Sequence, residues 1–154
     1  MQNLKLFFDM DGTLADFNGG GGLEKMEQKG FFLNLKPYAN ARKYVRNMSK
    51  FHEVYILSAC IDTPYCMVEK ILWLKKFFPF IPYENIILVP YGTNKAETVI
   101  KRFGEINTDY LLYDDYKVNL QQWRELGGTP IKCGKTYKPY RQEKQNIQFG
   151  LELF

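Results

Sequence analysis

Cysteine is scarce in this 154-residue chain, and long apolar runs are missing. Cys60, Cys66 and Cys133 are an odd number with no close ligand spacing. That pattern argues against a disulfide scaffold, gives no reason to expect zinc, and points to reduced thiols in an intracellular setting. No apolar stretch approaches the roughly 20 residues of a membrane span. The amino terminus runs almost at once into a strand, so no signal peptide is expected and the cytoplasm is the expected location. Charge of one sign is not in large excess, and a net +4 implies at most attraction for anionic substrates. Gly19, Gly20, Gly21 and Gly22 are not followed by Gly-Lys-Ser, so they make no phosphate loop of recognised spacing and read instead as a flexible stretch. Repeats are absent, as is low complexity beyond that glycine run.

What is present is apolar mass in short pieces. Twelve Phe and eleven Tyr exclude disorder as an explanation, and the length suits a single domain spanning 1–154. Strands are predicted over 4–8, 53–58 and 85–89, with a fourth within 109–116 and a last, edge strand over 129–133 because it contains Pro130. Helices are predicted over 37–50, 63–78, 96–103 and 118–126, the second with Val68, Ile71, Leu72 and Trp73 in the core. The alternation implies an α/β fold, an open parallel sheet with helices on both faces.

Two of these strands end in acid pairs. The first apolar run stops at Asp9-Met10-Asp11-Gly12-Thr13, and the fourth stops at Asp114-Asp115. Carboxylates this close repel each other and are costly to desolvate, so they need a cation, a shared proton, or both. Magnesium suits them, because it is hard, takes oxygen ligands and bridges carboxylates to phosphate. An isolated Asp-x-Asp-Gly is otherwise a strand ending in a polar turn. A serine after a strand, as at Ser58, is ordinarily a turn or cap, and a lysine opening a helix, as at Lys95, ordinarily a solvated side chain.

Phe8-Asp9-Met10-Asp11-Gly12-Thr13-Leu14 resembles the first signature of the haloacid dehalogenase superfamily in its phosphatase form. Ser58, Lys95 and Asp114-Asp115 follow in that superfamily's order. The resemblance implies a Rossmann-like core with a short, truncated cap after the first strand, at about 15–35. It implies that Asp9 attacks phosphorus to form an aspartyl-phosphate, that Asp11 gives and then takes the proton, and that Ser58 and Lys95 bind phosphate. Magnesium would be held by the Asp9 carboxylate, the Met10 main-chain carbonyl and Asp114, with Asp115 acting through water or the lysine.

The stretch Phe31-Phe32-Leu33-Asn34-Leu35-Lys36-Pro37 is similar to the one that follows the cap in 5′(3′)-deoxyribonucleotidases. The expected substrate is therefore a nucleoside monophosphate, with another small phosphorylated metabolite or a non-catalytic binding protein of the same fold as alternatives. Deoxyribonucleotidases show Asp-Asp-Arg-Pro where this chain has Asp114-Asp115-Tyr116-Lys117, and their cap is much longer. Phe17, Phe31 and Phe32 are candidates for stacking on a base, with a small lid core as the competing reading. Lys132, Lys135, Lys138, Arg141 and Lys144, interleaved with Tyr137 and Tyr140, read as a solvated tail in preference to a nucleic-acid surface.

Overall fold

In the computed structural model, residues 3–133 and 151–153 are described. The elements run β1 (Lys5–Phe8), α1 (Ala39–Met48), β2 (Glu53–Cys60), α2 (Cys66–Phe77), β3 (Ile86–Pro90), α3 (Lys95–Phe103), β4 (Tyr110–Asp114), α4 (Lys117–Glu125), β5 (Thr129–Cys133) and β6 (Leu151–Leu153). They form one sheet in the order β3-β2-β1-β4-β5-β6, parallel except for β6. β1 lies at the centre, with Phe8 opposite Ile56 of β2 on one side and Tyr113 of β4 on the other. The chain therefore winds outward from β1 in both directions. In such sheets the crevice at the carboxyl end of the switching strand is where ligands bind.

Side chains alternate across β1 and split the core in two. Leu6 and Phe8 face one layer with Tyr44 and Val45 of α1, Trp73 and Leu74 of α2, and Phe31, Phe32 and Leu35. Phe7 faces the other, with Val99 of α3 and Leu120 and Trp123 of α4. Phe7 packs on Tyr55 and Trp123 at centroid distances of 5.0 and 5.3 Å, and Phe8 stacks on Tyr113 at 4.2 Å. The Tyr55 and Tyr113 contacts join β1 to its neighbouring strands, and the Trp123 contact joins it to α4.

Two sequence expectations need correction. β5 is not the edge of the sheet, because β6 pairs with Ile131, Lys132 and Cys133. Pro130 is tolerated because that pairing begins one residue after it. In α2, Val68 and Leu72 are exposed, at 57% and 47%, while Glu69 and Lys70 are buried with Cys66, Trp73 and Leu74. Apolar residues surround this helix, so hydrophobicity alone does not choose its inner face. The partners of Glu69 and Lys70 do.

The expected lid leaves the core after Ala15 and returns at Pro37, the two residues bridging in antiparallel fashion. Asp16 N–H donates to Lys36 O at 2.8 Å and Tyr38 N–H to Leu14 O at 2.9 Å, closing its neck. Its far end is tied down by Glu69, whose carboxylate accepts from the N–H groups of Gly30 (2.7 Å), Phe32 (3.1 Å) and Leu33 (3.3 Å). No helix among the described residues is long and apolar enough to cross a membrane. The basic residues from Lys135 to Lys144, with Tyr137 and Tyr140, lie outside the described residues.

Candidate active site

The site forms where β1, β2 and β4 end side by side. Asp9 continues the β1 pairing, its N–H donating to Tyr113 O at 2.9 Å, so its side chain emerges next to that of Asp114. Carboxylate oxygens of Asp9, Asp114 and Asp115 all lie within 4.8 Å of one another. Lys95, the first residue of α3, is turned inward and is 2% exposed. Its Nζ lies 3.0 Å from Asp9 Oδ1 and donates to Asp114 Oδ2 at 2.8 Å. Asp114 is held further by Asn119 Nδ2 on Oδ2 at 3.0 Å and by the Tyr116 N–H on Oδ1 at 2.9 Å.

A second cation sits on the β2 side. Lys70 Nζ, fully buried, donates to Asp11 Oδ2 at 2.7 Å, Ser58 Oγ at 2.9 Å and Ala59 O at 2.6 Å, and lies 4.8 Å from the Phe32 ring centroid. The structure thus brings Asp9, Asp11, Ser58, Lys95, Asp114 and Asp115 to one crevice, together with Lys70 and Asn119, which sequence reasoning missed. The trace of Lys70 in the sequence is the charged pair Glu69-Lys70 set among apolar residues in the first half of α2.

The Met10 carbonyl, the expected main-chain metal ligand, accepts from the N–H groups of Thr13 (3.2 Å), Leu14 (2.8 Å) and Ala15 (2.9 Å), which use it to close the turn after β1. The turn passes through Gly12 at φ +77°, and a Cβ there would lie 2.1 Å from Asp115 Oδ2. Glycine is required for its backbone conformation and for the close seat of Asp115. Phe31 and Phe32 are 8% and 2% exposed and meet edge to face at 4.9 Å, and Phe17 meets Phe31 at 5.4 Å. Their rings are the lid's own contribution to the core layer it shares with α1 and α2.

Burial, followed by the neighbouring Asp114 charge, raises the Asp9 carboxyl well above its ordinary range. The same two causes push Asp115 up to about 7. Burial works against the Lys95 ammonium, but the charges of Asp114 and Asp9 outweigh it and raise the group. Lys70 is raised likewise, against burial, chiefly by Asp11. With all four acids ionised, four carboxylates against two ammoniums leave a deficit of two positive charges, which a divalent cation would fill. The donors are all hard oxygens, and this set fits magnesium and not zinc. Among the described residues, Asp11 Oδ1 is buried without a hydrogen-bond partner.

The fold matches an L-2-haloacid dehalogenase, PA0810, with a TM-score of 0.65 at 10% identity, covering 88% of this chain and 86% of that one. It also matches a haloacid dehalogenase family enzyme from Bacteroides thetaiotaomicron, solved with magnesium and inorganic phosphate, with a TM-score of 0.58 at 14% identity over 87% and 95% of the two chains. In sequence, a putative 5′(3′)-deoxyribonucleotidase of Staphylococcus aureus is 30% identical over 108 residues, 70% of this chain and 52% of that protein. The chain therefore spans about half the length of that relative. The family model described as 5′ nucleotidase, deoxy (pyrimidine), cytosolic type C protein matches residues 23–140. With most of its length matched by that model, on a haloacid dehalogenase core, the chain belongs to the cytosolic type C 5′-nucleotidase family.

Proposed function

We propose that this chain hydrolyses phosphate monoesters, with nucleoside monophosphates as its substrates, through an aspartyl-phosphate on Asp9 and with magnesium as cofactor. The observation that carries the reading is the meeting of Asp9, Asp11, Asp114 and Asp115 with Lys70 and Lys95 at the switch point of the sheet. Lys95 holds Asp9 Oδ1, so attack on phosphorus falls to Oδ2. As the Asp9–phosphorus bond forms, the bond from phosphorus to the leaving oxygen breaks, and Asp11 Oδ1 supplies that oxygen with a proton. Asp11 then takes a proton from water, whose oxygen displaces Asp9 from phosphorus and releases inorganic phosphate.

Ser58 accepts from Lys70, which frees its own hydroxyl hydrogen for a phosphoryl oxygen. Lys70 keeps Ser58 and Asp11 in register and adds positive charge to the phosphoryl pocket. Asp9, Asp114 and Asp115 would hold magnesium, which when bound neutralises charge on the phosphoryl oxygens.

The test is steady-state hydrolysis over a panel of nucleotides and sugar phosphates, with magnesium and with chelator. Activity is expected on nucleoside monophosphates, lost with chelator, and reduced by at least about 10³-fold in Asp9→Asn. An Asp9→Asn protein with unchanged turnover would refute the nucleophile. The short lid favours a second reading, hydrolysis of another small phosphorylated metabolite, and equal rates on sugar phosphates and deoxynucleotides would select it.

A further inference from the structure

We infer that the aromatic base of the substrate is seated between Tyr91 and Tyr116, on the α3–α4 face of the crevice and away from the lid. The inference rests on the nucleotidase reading and adds to it where the base goes. A cavity of about 300 Å³ opens there, bordered by Tyr91, Thr93, Lys95, Tyr116, Asn119 and Gln122. Lys95 and Asn119 are the two side chains that hold Asp114 Oδ2, at 2.8 and 3.0 Å, so the cavity adjoins the acid cluster directly. A molecule with its phosphate on Asp9 has this space next to it, and the volume is at the small-ligand end of the usual range.

The chemistry of the walls is that of a planar heteroaromatic ring. Tyr91 and Tyr116 are 76% and 56% exposed, two flat faces left uncovered at the cavity rim. Among the described residues, the other strongly exposed rings are Phe51 and Tyr83, and the cavity that Tyr83 borders is lined by Leu74, Ile81, Pro82 and Ile86, away from the site. Thr93, Asn119 and Gln122 offer hydroxyl and amide groups suited to the donor and acceptor edge of a base. The alternative seat under the lid is taken. Phe31 and Phe32 are buried against each other, and Phe32 is covered by the Lys70 ammonium. Stacking on tyrosine is tolerant of base identity, so the pocket fits nucleotides as a class.

The test is binding, measured by calorimetry with magnesium on the Asp9→Asn protein, whose turnover is expected to be too slow to consume the ligand during the titration. The ligands are a nucleoside monophosphate and ribose 5-phosphate, which share phosphate and sugar and differ in the base. The nucleotide is expected to bind more tightly, and Tyr91→Ala and Tyr116→Ala are each expected to cut that preference about fivefold or more. Tyr83→Ala, exposed elsewhere, serves as the control for surface loss of a ring. Equal affinity for the two ligands, or a preference untouched by both tyrosine variants, would overturn the inference. A base preference that depends on the tyrosines, found alongside absent hydrolysis of every monoester by the unmodified chain, would support the seat and count against the hydrolytic reading.

Discussion

Lys70 is the residue whose role is most sharply set by its surroundings. Its ammonium has three oxygen partners within 2.9 Å, two of them on the proposed proton shuttle and phosphate donor. Replacing it with methionine keeps the buried volume but removes only one partner of the Lys70–Asp11 pair, leaving that carboxylate and the Ala59 carbonyl without their donor. Lys70→Met is therefore expected to lower kcat by about 10²–10³-fold and to cost about 1–3 kcal/mol in chemical denaturation. That loss of stability with kcat unchanged would mean that the lysine is a structural pin and not part of the phosphate pocket. Gly12 makes a complementary case. In Gly12→Ala the new methyl meets the Asp115 carboxylate and the backbone sits at φ +77°, so a destabilisation of about 1–3 kcal/mol is expected together with weaker magnesium binding by calorimetry.

Glu69 acts at the level of an element, because its carboxylate joins α2 to the end of the lid. Three backbone N–H groups that would otherwise lack a described acceptor converge on it, and the side chain is 7% exposed. Removing the acceptor leaves those amides unpaired in a largely buried place. Glu69→Ala is expected to cost about 2–4 kcal/mol in chemical denaturation and to speed proteolysis within the lid. A loss below about 0.5 kcal/mol would show that the lid is held by its phenylalanines instead. The same contact explains why α2 turns Val68 and Leu72 outward. A buried glutamate and a buried lysine each find several partners only when Cys66, Trp73 and Leu74 face the core beside them, and burying an unpaired charge costs more than exposing two aliphatic side chains.

At the scale of the molecule the site is an electrostatic load carried by the centre of the sheet. Without metal, Asp115 titrates near 7 in the folded chain and near its ordinary 3.8 when unfolded, and Asp9 is shifted in the same direction. Folding therefore takes up protons between those values. The stability contributed by protonating these acids is fully present below about pH 4 and is lost as pH rises through about 7. Magnesium reverses the sign by binding the ionised form. In chelator the melting temperature is expected to fall from pH 5 to pH 8, and the gain on adding magnesium is expected to grow over the same interval, both read by thermal unfolding. Identical pH profiles with and without magnesium would argue that the acids do not form a cation site.

Read alone, the sequence determined the layered α/β fold and the places where acids meet the sheet edge. Those properties are local: a short apolar run makes a strand, and a carboxylate at its end is delivered to the carboxyl edge wherever that strand lies. Lys95 and Ser58 were legible only through the family resemblance, which supplies their order along the chain; taken alone they read as a solvated side chain and a cap. Tertiary structure alone decided the partners of Lys70, Glu69 and Asn119, the direction of the Met10 carbonyl and the burial of Phe31 and Phe32. An α-helix apolar on most sides has no preferred face until it is docked, and a carbonyl's direction depends on how the turn closes. Which charges end up sharing one small volume is set by the winding of the sheet around β1, and that winding is a property of the whole chain.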